Sequence, residues 1–275
     1  MRRSVPLFLM AALSFALVSI PCRAEAQSAG KSLEKRTSDS EAPWASLFNG
    51  KDLAHWAVKC KPKDRERKFW RVENGAILAD SLEAKGHDYV WLYSRKEYGD
   101  FILRLRFQVS RTSKGNSGVQ VRSRYDDKAG WLDGPQVDIN PAGPWRTGMI
   151  WDETRGSKRW LFPKVPKGKW VNPSMAPKDI VFHYADDSKD WNDLEIVALG
   201  TKLGASLNGR TVMDWDGQGV LDDETHRRHA VGMTGHLALQ IHRGDRLRIR
   251  FKDLRILSGT KVVTAELKRR TTSRE

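Results

Sequence analysis

The chain has 275 residues, 39% of them hydrophobic and 30% charged, with a formal net charge of +14 and two cysteines. That length and apolar share support a globular core and exclude a disulfide-stapled miniature. The 48 basic residues are scattered among 34 acidic ones, and the densest run is only Lys268-Arg269-Arg270, so the charge lacks the clustering of a nucleic-acid binder and no nucleic-acid partner is expected.

The chain opens Met1-Arg2-Arg3, runs apolar and uncharged from Val5 to Ile20, and reaches Ala24-Glu25-Ala26. A basic start, a short apolar stretch and an A-x-A site describe a secretory signal peptide over residues 1–26. The stretch is short for a spanning helix, which needs about 20 apolar residues. Pro21 before Cys22 argues against a lipoprotein site. Cleavage after Ala26 is therefore expected, with a periplasmic or extracellular address and no membrane span left in the mature chain. The leader takes with it three arginines, one glutamate and Cys22, leaving +12 and Cys60 alone. An intramolecular disulfide is then excluded.

Residues 27–42 are polar and aperiodic and read as a disordered linker. The folded domain is expected over 43–258. Its main signal is period-two alternation, the mark of half-buried strands. Phe101, Leu103, Leu105, Phe107 and Val109 share one face of a strand. Val119 and Val121, Val137 and Ile139, Leu237, Leu239 and Ile241, and Leu247, Ile249 and Phe251 alternate with polar residues in the same way. Asn208-Gly209 marks a two-residue hairpin turn between Leu203–Leu207 and Thr211–Trp215. Many short strands without a long helical stripe predict an all-β, two-sheet antiparallel sandwich of jelly-roll type. One long Trp- and Pro-rich excursion interrupts the pattern. It runs from Pro141 to Pro177, with six prolines and with Trp145, Trp151, Trp160 and Trp170. The tryptophans imply order, so an excursion over one face is expected. Residues 259–275 are basic and read as a loosely held tail.

The alternation also sorts polar groups. If the strands share a sheet, Gln120, Arg122, Gln136, Asp138, Gln240 and His242 line one surface. Such a mixture of donors and acceptors suits a hydroxyl-rich ligand, and tryptophans at its edge offer flat faces for sugar rings. The same pattern is also the ordinary solvated side of an antiparallel sheet. Asp138 and Arg122 fit a cross-strand ion pair as readily.

Several segments in order along residues 44–257 resemble the 3-keto-disaccharide hydrolase family, often labelled similar to family 16 glycoside hydrolases. They include Leu47-Phe48-Asn49-Gly50-Lys51-Asp52-Leu53, Trp70-Arg71-Val72-Glu73-Asn74-Gly75, Asn116-Ser117-Gly118-Val119-Gln120-Val121-Arg122-Ser123, Gly134-Pro135-Gln136-Val137-Asp138-Ile139, Gly148-Met149-Ile150-Trp151-Asp152-Glu153 and Gly235-His236-Leu237-Ala238-Leu239-Gln240-Ile241-His242. The resemblance implies a concanavalin-like jelly roll. Many members read Glu-Val-Gln-Ile in the central strand, where this chain has Gln136-Val137-Asp138-Ile139, so the carboxylate moves two residues along and keeps its face.

The resemblance further implies an exported enzyme acting on oxidised disaccharides or glycosides. A 3-keto group acidifies the C2 proton, so the reaction needs a base, an enolate stabiliser and an acid for the leaving oxygen. Asp138 is the expected base, Glu153 or its neighbour Asp152 the second acid, and His242 a proton shuttle. Arg122 is expected to hold the oxyanion, with Gln120, Gln136, Gln240 and Trp151 orienting the sugar. Ordinary two-carboxylate hydrolysis is a variant. No cofactor is implied. A divalent metal is an open alternative for the enolate, although His226-x-x-His229 and Asp222-Asp223-Glu224 lack a complete ligand spacing. A non-catalytic carbohydrate-binding module is the alternative from another class, and an envelope interaction domain a third.

Overall fold

The computed structural model describes residues 44–273 apart from Lys167. The leader and the 27–42 linker lie outside the described residues. The elements are β1 (Ala45–Ser46), β2 (Trp56–Cys60), β3 (Trp70–Glu73), β4 (Ala76–Asp80), β5 (Val90–Tyr98), β6 (Phe101–Val109), β7 (Ser117–Asp126) and β8 (Trp131–Asp133). They continue as β9 (Pro135–Ile139), β10 (Ile150–Asp152), β11 (Arg159–Phe162), β12 (Asn192–Leu199), β13 (Lys202–Leu207), β14 (Arg210–Asp216), α1 (Glu224–Arg228), β15 (Gly235–Ile241), β16 (Arg248–Ser258) and α2 (Thr260–Thr272).

The strands form two antiparallel sheets of eight. One runs β14-β13-β12-β6-β16-β4-β3, with β1 beside β16; the other runs β11-β10-β9-β7-β15-β5-β2, with β8 beside the end of β7. The alternation explains how they meet. Leu103, Leu105, Phe107 and Val109 of β6 share one buried core with Val119, Val121, Val137, Ile139, Leu237, Leu239 and Ile241 of the second sheet. The all-β sandwich read from the sequence is the fold observed. At the β13–β14 hairpin Asn208 and Gly209 have φ of 48° and 79°, the left-handed pair that a type I′ turn requires.

Two expectations change. The Trp- and Pro-rich excursion does not simply cross a face, because β10 pairs with β9 and β11 with β10, extending the second sheet by two short strands with β11 at its edge. Prolines confined to their flanks leave Ile150–Asp152 and Arg159–Phe162 free to pair. The tail after Gly259 is also not loose: residues 260–272 form α2 on the outer face of the first sheet. Val262, Val263 and Leu267 pack with Ile102, Leu257 and Trp44, and Arg270 forks onto Glu195 at 2.7 and 3.1 Å. Positions 263, 266, 267 and 270 share one helical face, and of these only Val263 and Leu267 are apolar, which is too faint a stripe to stand out in a basic sequence. Cys60 is buried and free. No helix among the described residues is long and apolar enough to cross a membrane.

Candidate functional site

The outer face of the second sheet carries the polar half of the alternation. Register places Asp138 of β9 opposite Gly118 of β7, Gln136 opposite Gln120, and Gln120 opposite Ala238 of β15. Gln240 lies opposite Trp91 of β5, and Trp151 of β10 opposite Gln136. Gly118 has a specific job here, because a Cβ on it would sit 2.5 Å from Cδ of Gln136. Its absence lets the Gln136 side chain lie across the sheet. Gln120 steadies that side chain: its amide donates to Gln136 Oε1 at 3.4 Å and accepts from Ser123 Oγ at 2.9 Å.

This face is not open to water as the outside of a sheet usually is. Gln120, Gln136, Asp138, Gln240 and Glu153 are all buried. One wall is aromatic, where β8 folds back so that Trp131 and Leu132 pack with Trp91, Tyr93, Tyr89 and Tyr125. The other wall is Trp151, Trp160 and Trp170 from the excursion. Neither amide atom of buried Gln240 finds a hydrogen-bond partner among the described residues. Buried amides are nearly always paired, so this one points to a polar ligand.

Asp138 is held at both oxygens. Asn116 Nδ2 donates to Oδ1 at 2.7 Å and Arg146 Nε to Oδ2 at 2.6 Å. Burial raises the Asp138 pKa and outweighs the opposing pull of Arg146, Asn116 and His242. Glu153 is likewise pushed up by burial, against Lys158, His242, the Trp151 indole and the Gln240 amide. The Gln240 amide thus lies close enough to Glu153 to oppose the rise in its pKa. The backbone at Glu153 is fixed by Trp131, whose Nε1 donates to its carbonyl at 2.9 Å.

His242 stands within electrostatic reach of both carboxyls. Its Nε2 lies 2.9 Å from the Tyr89 hydroxyl, and its Nδ1 is 3.1 Å from Asp245 Oδ2, an ion-pair contact without hydrogen-bond alignment. Tyr89 precedes β5 and His242 follows β15, so sheet pairing brings them together. Burial first, then Glu153, Asp245 and Asp88, raise the Tyr89 pKa and keep the phenol protonated. Burial works against the Asp245 carboxylate, but His242 and the Asn116 N–H hold its pKa below the usual range. Asn116 therefore ties the relay Asp245–His242–Tyr89 to Asp138.

Two expected site residues are elsewhere. Arg122 sits at a bulge, with φ of 49° and a register shift between His236 and Ala238 on the neighbouring strand. The bulge turns its side chain off the polar face to one end of the sandwich. There it donates to Gly99 O at 2.9 Å, to Gly200 O and to Asp100 Oδ1 at 3.0 Å. Burial lowers its pKa to about 10 against the pull of Asp100. Arg122 ties the β5–β6 connection between the sheets and the β12–β13 turn to β7, and does not meet Asp138. Asp152 points away from Glu153, as strand alternation requires, and its Oδ2 lies 3.2 Å from His226 Nε2. Asp223 takes the other ring nitrogen at 2.8 Å. Burial disfavours the charged ring, yet the two carboxylates together raise the His226 pKa. Among the described residues no three or more His, Cys, Asp or Glu side chains are grouped to hold a metal ion.

Of the expected residues, Asp138, Glu153, His242, Gln120, Gln136, Gln240 and Trp151 thus share one face. Tyr89, Arg146, Asn116 and Asp245 were missed. Tyr89 sits at a strand entry and Arg146 in the excursion, where no periodicity marks them. Asn116 had a signal, as the residue opening the Asn-Ser-Gly motif before β7.

Residues 43–257 match the family described as the 3-keto-alpha-glucoside-1,2-lyase-like domain. The chain belongs to this family. Among solved structures, it is similar to a Parabacteroides distasonis protein provisionally classed as a glycosyl hydrolase, with 20% identity, a TM-score of 0.50 and coverage of 78% of this chain and 94% of that one. It is also similar to the cellulose-induced protein Cip1, with 10% identity, a TM-score of 0.50 and coverage of 79% and 97%. At such identities the likeness concerns the fold. No curated protein matches by sequence. Membership of this family makes the function of the domain carbohydrate-related.

Proposed function

We propose that the protein is an exported enzyme that cleaves the glycosidic bond of 3-keto glycosides by elimination across C1–C2, followed by hydration. The observation that carries this reading is the meeting, on one buried face, of two carboxyls made more basic by burial and the Asp245–His242–Tyr89 relay. Export rests on the leader over residues 1–26.

In this scheme Asp138 takes the C2 proton, and the C–H electron pair moves into an enolate on the C3 oxygen. A carboxylate raised by burial is the stronger base, and Arg146 and Asn116 fix its direction. As charge grows on the C3 oxygen, the Tyr89 O–H turns towards it. His242, with Nε2 against the Tyr89 oxygen and Asp245 beside its other ring nitrogen, holds the phenol in position. This is preorganised electrostatic stabilisation. Collapse of the enolate forms the C1–C2 double bond and breaks the bond from C1 to the glycosidic oxygen. That oxygen leaves with the electron pair and takes its proton from Glu153, which burial keeps protonated to higher pH. The ionised Glu153 then takes a proton from water as the hydroxyl adds to C1, and Asp138, after exchange with solvent, returns a proton to C2, which gives net hydrolysis and restores both carboxyls. The orphaned amide of Gln240 takes a sugar hydroxyl.

The test is incubation with a 3-keto disaccharide beside its unoxidised parent. Turnover of the oxidised sugar alone, abolished in Asp138→Asn, is the expected result. Cleavage of the parent at a similar rate contradicts elimination. Saturable binding of either sugar without turnover favours a carbohydrate-binding module instead.

A further inference from the structure

The three tryptophans of the second wall form more than a boundary. Trp160 is buried, with Trp151 and Trp170 against it at ring-centroid distances of 5.2 and 5.3 Å, and Trp151 and Trp170 are 5.2 Å apart. Their interplanar angles of 70°, 81° and 46° fix the orientation of each ring by edge and tilted packing. Trp170 nevertheless remains 56% exposed. A ring of that size, held in place yet left half in water, is a preformed platform and not a failed core contact.

Arg146 joins this platform to the candidate site. Its guanidinium carbon lies 5.4 Å from the Trp160 ring centroid and 5.9 Å from that of Trp170, while its Nε donates to Asp138. Its two terminal nitrogens make no hydrogen bond to a described residue, although the side chain is only 16% exposed. The guanidinium thus lies over the Trp160 and Trp170 rings, and the exposed part of Trp170 adjoins oriented donors on the arginine that contacts the base. A pyranose ring has the matching surfaces: an apolar C–H face for the indole and a hydroxyl edge for the guanidinium. A purely aromatic ring would use the indole and leave the donors idle.

We propose that Trp170, set by Trp151 and Trp160, together with the terminal nitrogens of Arg146, forms a subsite for the leaving half of the substrate, selecting glycosides whose leaving group is a second hydroxylated ring. The term leaving half rests on the cleavage reading above; the platform as a sugar-binding surface does not.

The experiment compares the wild type with Trp170→Ala and Trp170→Phe, substitutions at a half-exposed position. For cleavage, kcat/KM is measured on a 3-keto disaccharide, on its methyl 3-keto glycoside counterpart and on a 3-keto aryl glycoside. Trp170→Ala is expected to lower the disaccharide-to-methyl ratio about tenfold, as the loss of one aromatic contact implies, through KM. Trp170→Phe restores most of it. An unchanged ratio overturns the proposal. A larger loss for the aryl glycoside than for the disaccharide overturns the hydroxylated-ring assignment. Independently, binding of the unoxidised disaccharide is followed by tryptophan fluorescence. Saturable quenching that Trp170→Ala weakens about tenfold supports the platform even if no 3-keto glycoside is cleaved. Equal affinity in wild type and variant overturns it.

Discussion

Arg146 Nε lies 2.6 Å from Asp138 Oδ2, and it is this arginine, not Arg122, that faces the carboxylate at the centre of the site. The pairing crosses from a loop of the excursion to the middle of a sheet, so the loop is bound to the site by a buried charge contact. Arg146→Lys keeps the charge but lacks the planar fork and changes the reach. It is expected to lower kcat by about 10–100-fold, as misplacement of a catalytic group does, with little change in melting temperature. Steady-state kinetics beside a thermal melt checks this.

Arg122 is predicted to be structural. Breaking a buried, hydrogen-bonded ion pair costs about 3–5 kcal/mol, and in a domain of this size about 2–4 °C is lost per kcal/mol. Arg122→Met is therefore expected to lower the melting temperature by about 10 °C. Its kcat/KM, measured well below that temperature, should match the wild type. A folded but inactive variant would place Arg122 in the chemistry after all.

Tyr89→Phe removes the phenol O–H and keeps the ring stacked on Trp91. Loss of one preorganised donor to the enolate is expected to cut kcat by about 10²–10³-fold while KM moves little. Steady-state kinetics on a 3-keto disaccharide reads the split. A fall confined to KM would make Tyr89 a binding residue only.

Burial raises the Glu153 pKa, and the sign of the linkage follows. A carboxyl whose folded pKa lies above its unfolded value favours folding when protonated, and that contribution is lost as pH rises through the folded pKa. Glu153→Gln removes the buried charge. It is expected to melt higher than the wild type by roughly 2–4 °C at pH 8, equivalent to about 1 kcal/mol, with the difference shrinking as pH falls and Glu153 protonates. Turnover should be lost throughout. Thermal melts across pH 4–9 check the trend (about 4 being the ordinary glutamate range).

The sandwich was legible because burial on one side of a strand writes itself as alternation, as in Phe101–Val109. Gln136, Asp138 and Gln240 were legible for the same reason, lying on the other side of the same strands. The alternation failed at Arg122, where one left-handed residue at a bulge reverses the face; no residue type announces that. It also failed where pairing is long-range. Tyr89 and His242 are 153 positions apart, and Arg146 reaches Asp138 only because the chain doubles back after β9. Asp152 and Glu153 could not be told apart by type, and only the strand's alternation separates a contact with His226 from one beside Gln240.

The most direct test of the central claim is the fate of the C2 hydrogen. In deuterium oxide, elimination followed by hydration returns a solvent deuteron to C2, so mass spectrometry and proton NMR of the released 3-keto sugar should show one deuterium there for each bond cleaved. An enzyme-free control sets the background exchange. Released sugar that keeps its original C2 proton, with no slowing of turnover when the substrate carries deuterium at C2, would contradict elimination and the role assigned to Asp138.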